Sequence, residues 1–135
     1  MADPGIADPE ALLKFWFSDE ARSRWFDSTQ AFDDLLRDRY LTTWEAARDG
    51  ALDLWADTPR GALALVIILD QLPLNIFRDN PASFVTEADS RRIAEMAIER
   101  GHDRELVDEE KSFLYLPFMH GESLANQDRS VALYH

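Results

Sequence analysis

Thr58-Pro-Arg-Gly-Ala-Leu-Ala-Leu-Val-Ile-Ile-Leu-Asp-Gln-Leu-Pro-Leu-Asn-Ile-Phe-Arg78 is the stretch on which the reading of this chain turns. A threonine followed by proline is a helix start: the hydroxyl caps the first free amides and the ring suits the first turn. From Ala62 to Leu69 every residue is apolar, so a helix here has no polar face and belongs at the centre of a core. The run ends abruptly in Asp70-Gln71, and Pro73 then removes a donor and disturbs the helix. A carboxylate near a helix C-terminus is opposed by the helix dipole and, if buried, by desolvation. Asp70 therefore needs a partner, and Arg78 and His120 are the candidates. In the alternative reading, Asp70 and Gln71 bond backbone groups that Pro73 frees.

Helices continue on both sides. Asp8-Pro9-Glu10 starts a first helix, apolar through Leu12, Leu13, Trp16 and Phe17. Trp25 and Phe26 sit in a connecting turn. Ser28 or Thr29 caps a second helix, in which Phe32, Leu36, Tyr40, Trp44 and Ala47 recur at helical spacing. Asp33, Asp34, Arg37, Asp38, Glu45 and Arg48 fall between them and read as a solvated face. Gly50 ends this helix in the left-handed region. After the central helix, Thr86-Glu87 begins a fourth, buried through Ile93, Ala94, Ala97 and Ile98 and stopped by Gly101. Asp108-Glu109-Glu110 begins a fifth, and a sixth runs from about Glu122. No segment alternates long enough to be a strand, and no glycine-, serine- or proline-rich linker divides the chain. The expectation is one all-α domain over residues 1–135, with about six helices in antiparallel hairpins. A weak repeat supports stacked hairpins: Ala46-Ala-Arg-Asp-Gly50 echoes Ala97-Ile-Glu-Arg-Gly101, and capping Thr58 is matched by Asp108.

Charge narrows the partners. Fourteen basic against 26 acidic residues give a net charge of −12 in 135 residues. Such a chain repels phosphate backbones and anionic lipid, so neither nucleic acid nor membrane is expected as a partner. Cysteine is absent, which fits a reducing compartment. The first ten residues lack the basic and apolar regions of a signal peptide. The run Ala62–Leu69 is too short to span a bilayer. The expected location is the cytoplasm.

Several segments together resemble the bacterial domain-of-unknown-function 924 family. They are the Thr58–Arg78 stretch, Phe15-Trp-Phe17, Trp25-Phe26, Gly50-Ala-Leu-Asp-Leu-Trp55, Phe113-Leu-Tyr-Leu-Pro-Phe-Met-His120 and Ser130-Val-Ala-Leu133. The resemblance covers nearly the whole chain in order. It implies a tetratricopeptide-like α-α superhelix or bundle, and no activity. Three positions depart from the family pattern: Leu74 stands where the family usually has arginine, Gly121 where it has serine, and Asn126 where it has aspartate. Relatives tend to continue past this C-terminus, so the chain is expected to be a short form or fragment lacking C-terminal family helices.

The expected function is a helical binding or scaffold module, its pocket rimmed by Asp70, Gln71, Asn75, Arg78 and His120. Its ligand, a protein, peptide or small molecule, is not named by the sequence, and neither is a cofactor. A small hydrolase using Asp70, His120 and Glu122 is the alternative, through an acid–base pair or a metal. No His-Glu-x-x-His pattern supports a metal, and His102-Asp103 lacks the further histidines that a metal-dependent phosphohydrolase needs. No phosphate loop or nucleophile elbow occurs. The aromatic residues read as core. Leu124 and Val131 lie near one face of the sixth helix and suggest a homodimer through it, unless that helix folds back on Leu13, Trp16 and Phe17. With no basic cluster to offset the charge, duplex DNA should show no gel shift at physiological salt; a sub-micromolar, salt-dependent shift would contradict this.

Overall fold

Capping residues set where several of the helices begin. The computed structural model describes residues 5–119. Its α-helices are α1 (Pro9–Trp16), α2 (Asp19–Arg22), α3 (Gln30–Arg48), α4 (Pro59–Asp70), α5 (Leu72–Ile76), α6 (Glu87–Glu99) and α7 (Asp108–Met119). Asp8, Thr29 and Thr58 each accept a hydrogen bond from the amide three residues on, at 3.0, 3.2 and 3.0 Å. The cap of α3 is thus Thr29; Ser28 is used elsewhere. No strand occurs among the described residues. The short α2 and α5 were not resolved by periodicity, because four or five residues carry too little of it. The sixth helix, and the dimer proposed through it, fall outside the described residues.

Helix α4 is the centre. Every residue from Gly61 to Asp70 is buried. Helices α1, α3, α6 and α7 pack around it, together with the 3-10 turn Asp53–Asp57. By length and composition the stretch Pro59–Ile76 is apolar enough to cross a membrane, contrary to the reading from Ala62–Leu69 alone, but 72% of it is enclosed by the other helices. Gly61 makes one approach possible: a Cβ there would lie 2.0 Å from the Trp55 carbonyl oxygen. Only glycine lets the 3-10 turn press against the start of α4.

Polar contacts fix the helix directions. Arg60, in the first turn of α4, donates to Glu10 in the first turn of α1 and to Glu110 in that of α7, both at 2.7 Å. These three helices therefore begin at the same end. Helix α3 runs against α1, since the Ala7 amide meets Thr43 Oγ1 at 2.8 Å while Phe15 stacks on Phe32. Helix α6 runs against α4: Thr86, at its start, reaches the end of α4, and Arg100 and His102, after its end, reach the Ala56 carbonyl before α4. The result is an up-down bundle. The weak repeat is visible in the backbone, although Asp108, matched to capping Thr58, is the first helical residue of α7 rather than its cap. Helix α3 leads through Gly50 (φ 85°) and a 3-10 turn into α4, and α6 leads through Gly101 (φ 78°) and the turn His102–Glu105 into α7.

The end of α4 is resolved by a residue from another helix. Pro73 has no amide to offer the Leu69 carbonyl four residues back. Thr86, fully buried, donates its hydroxyl to that carbonyl at 2.7 Å and accepts from Trp44 Nε1 at 3.1 Å. Its side chain is thereby spent, and it makes no cap bond to α6. The carbonyl that Pro73 frees is met by Thr86, not by Asp70 or Gln71. Replacing Ile67, fully buried in mid-α4, with alanine should cost about 2–5 kcal/mol in urea unfolding. A loss well below about 1 kcal/mol would refute the central role of α4.

Candidate functional site

Two polar centres lie beyond the end of α4. The first is built on Asp33, in the first turn of α3. Arg78 grips its carboxylate with two bonds, Nε to Oδ2 at 2.6 Å and Nη2 to Oδ1 at 3.2 Å. Ser28 Oγ donates to Oδ1 at 2.7 Å and Asn75 Nδ2 at 2.9 Å. Asn75 also donates to Ser28 at 3.1 Å. Helix α5 carries Asn75 and delivers Arg78 two residues beyond it, so the direction α5 takes after Pro73 closes this network. Burial by itself would raise the Asp33 pKa. The hydrogen bonds from Arg78, Ser28 and Asn75, with the charge of Arg78, outweigh it and hold the carboxyl below its ordinary value. The same pairing raises the Arg78 pKa, through its hydrogen bond to Asp33 first.

Beside this network is an open hollow of about 220 Å³. Gln30, Asp34, Arg37, Asn75, Arg78 and Asp79 supply its polar wall. Gln30 donates to Asp34 at 2.8 Å, and Arg37 donates to the Ile76 carbonyl at 3.1 Å while its guanidinium lies over the Phe77 ring. Asp79 has φ 63°, the one non-glycine residue in the left-handed region among those described.

The second centre is Asp70, which is buried as expected. Gln71 Nε2 donates to its Oδ2 at 2.8 Å, and Ser90 Oγ stands 3.4 Å from its Oδ1. A cavity of about 20 Å³ adjoins it, lined by Leu69, Leu74, Ser83, Phe84 and Glu87 as well as Asp70. That is room for about one water. Leu74, where the resemblance implies arginine, thus falls beside Asp70. Gly121 and Asn126, the other two departures, lie outside the described residues.

The expected single rim therefore divides. Asn75 and Arg78 converge on Asp33, while Asp70 and Gln71 form a separate centre; of the two candidate partners of Asp70, Arg78 is bound to Asp33 instead. His120 and Glu122 lie outside the described residues. Asp33, read from periodicity as solvated, is 6% exposed. Periodicity placed it correctly on the polar side of α3, but that side meets α5. The available signal was Asn75-x-x-Arg78, one helical turn of donors with no assigned acceptor.

The other candidates are structural. Buried His102 bonds the Ala56 carbonyl through Nε2 at 3.1 Å, and Asp103 accepts from the Tyr115 hydroxyl at 2.9 Å. This divides the His-Asp pair between two structural contacts. Trp16, Phe17, Trp25 and Phe113 pack as one aromatic cluster at the core and its edge; Phe26, read as core with them, is instead exposed. No group of three metal-ligating side chains occurs among the described residues. A larger groove of about 440 Å³ runs along Ile6, Pro9, Ala46, Leu52 and Trp55, and is mostly apolar.

The family model described as a bacterial protein of unknown function, DUF924, matches residues 12–135. Among solved structures, the chain is similar to a protein of unknown function from Agrobacterium tumefaciens. The two share 36% identity and a TM-score of 0.88, over 93% of this chain and 70% of that one. No curated protein matches significantly.

The depressed Asp33 pKa has a signed consequence for stability. A carboxyl whose folded value lies below its unfolded value stabilises the fold above the unfolded pKa, near 3.9, and loses that contribution as pH falls through the folded value. Asp33→Asn should cost about 1–3 kcal/mol at pH 7. The gap between wild type and variant should then shrink as pH drops below about 4 in denaturant unfolding. A pH-independent gap would show that the charge of Asp33 contributes nothing.

Proposed function

This chain belongs to the bacterial protein family of unknown function DUF924, and we propose that it acts as a helical ligand-binding module whose recognition site is the hollow between α3 and α5. The observation that carries this is the Asp33 network beside the hollow. Four side chains from two separate chain segments are locked together before any ligand arrives. A wall held this way loses little side-chain freedom on binding, which is what makes a site affine. The reading keeps Asn75 and Arg78 from the rim expected in the sequence and moves its focus from Asp70 to Asp33.

Binding fits this site better than catalysis. A general base works best with a pKa near the operating pH. Asp33 is held in the opposite direction, ionised and occupied by three donors. A hydrolytic centre at Asp70 rests on His120 and Glu122, and nothing among the described residues supports one. The two helix–glycine–3-10–helix units support reading the stack as tetratricopeptide-like, a class of bundle that presents surfaces for ligands. The acidic, cysteine-free composition supports a cytoplasmic setting.

Amide spectra of ¹⁵N-labelled protein, recorded against a library of small water-soluble fragments, test the reading. Binding fragments should shift the amides of Gln30, Asp34, Arg37, Asn75 and Arg78. If no fragment moves these amides, or if every binder maps to the groove along Ile6, Leu52 and Trp55, the hollow is not the recognition site.

A further inference from the structure

We infer that the hollow takes a small zwitterion, of amino-acid to dipeptide size, with its carboxylate on Arg37 and Arg78 and its ammonium on Asp34 and Asp79; this rests on reading the hollow as the ligand site. Size comes first. Pockets for drug-sized ligands run from about 300 to 1,000 Å³, and this one, at about 220 Å³, falls below them. Chemistry comes second. Ile76 is the one apolar residue lining it, so a hydrophobic ligand gains little there.

Charge then selects within small polar molecules. Arg78 spends Nε and Nη2 on Asp33, and Arg37 spends Nη1 on the Ile76 carbonyl. No hydrogen bond among the described residues uses Arg78 Nη1 or Arg37 Nη2. Both guanidinium groups are exposed, and each keeps a donor for an anionic group. Asp34 accepts from Gln30 through Oδ1 and keeps Oδ2 as an acceptor. Asp79 is exposed, on a backbone turned into the left-handed region beside Arg78. A purely anionic ligand meets three aspartates here and a protein of net charge −12. A purely cationic ligand meets two arginines. A molecule carrying one charge of each sign offers both the arginines and the aspartates of the wall an opposite charge.

Three probes differing by one charge each separate these claims: glycylglycine, glycylglycinamide without the carboxylate, and N-acetylglycylglycine without the ammonium. Titration by calorimetry and amide shifts at about pH 6.5 keeps the α-amino group protonated. Glycylglycine should bind about tenfold more tightly than either analogue, as expected for losing a hydrogen bond to a charged group. Arg37→Gln should weaken glycylglycine about tenfold and leave glycylglycinamide unchanged; Asp34→Asn should weaken the two ammonium-bearing probes and spare the acetylated one. Both side chains are exposed, and far-UV circular dichroism should show both variants folded. Equal affinity for all three probes overturns the zwitterion and leaves the hollow as a site. Failure of all three, while other fragments shift Arg37 and Asn75, does the same. A hollow that no molecule shifts overturns both readings together.

Discussion

A helix that is apolar on every side is stable only where every side is covered. Helix α4 meets that condition through α1, α3, α6 and α7, and each Leu or Ile it buries contributes roughly 1.5–3 kcal/mol. The same condition makes its exit difficult, because polar backbone at the edge of a dry core must find partners. Pro73 sharpens the difficulty by leaving the Leu69 carbonyl without its amide, and Thr86 resolves it. Where α4 stops, and which way the chain turns from it, follows from that buried carbonyl. The turn carries α5 along α3 and brings Asn75 and Arg78 onto Asp33. The core and the candidate site are linked by one missing hydrogen bond and its replacement.

What could be read beforehand follows from how local each signal is. Caps and left-handed glycines act within a few residues, so Asp8, Thr58, Gly50 and Gly101 were all legible, and the cap of α3 was narrowed to Ser28 or Thr29. Helical periodicity acts within one element, so the buried face of α3 and the enclosure of α4 were legible too. Periodicity separates apolar from polar faces, but not polar faces in water from polar faces against another helix. Asp33 was misplaced for that reason, and two of its three partners lie 42 and 45 residues away. Asp70 was recognised as buried because the apolar run leading into it is adjacent in sequence. Arg78 was assigned to it by proximity along the chain, yet α5 turns that side chain toward α3. Thr86 reads as an ordinary helix start, and nothing nearby reveals that its hydroxyl serves α4.

The Asp33 network also shows how a polar group can be buried without destabilising the fold. A lone ionised carboxylate in the interior is costly, and a two-bond contact with arginine offsets that cost only when the remaining lone pairs are met. Ser28 and Asn75 add two further donors, both to Oδ1. Arg78 stays half in water, so its own desolvation is slight. The arrangement specifies geometry more than it adds stability: sliding α5 along α3 would strip Asp33 of Asn75 and Arg78 and leave it Ser28 alone. A site wall then comes with the docking, rather than being assembled by flexible loops.

The place of α4 in the chain has a consequence for biosynthesis. Two of its covering helices, α1 and α3, precede it, and two, α6 and α7, follow. On the ribosome the N-terminal half emerges first, at about 5–20 residues per second. Helix α6 is complete only after roughly thirty more residues, a delay of about two to six seconds. Through that interval the nascent chain presents an apolar strip along α4, with the Leu69 carbonyl still waiting for Thr86. Such a strip attracts other nascent chains as readily as its own missing helices, and it is the kind of surface that ribosome-associated chaperones shield. A fold that places its most apolar helix in the middle of the sequence thus gains a core enclosed from both sides. In exchange, neither half can finish folding before the other has been made.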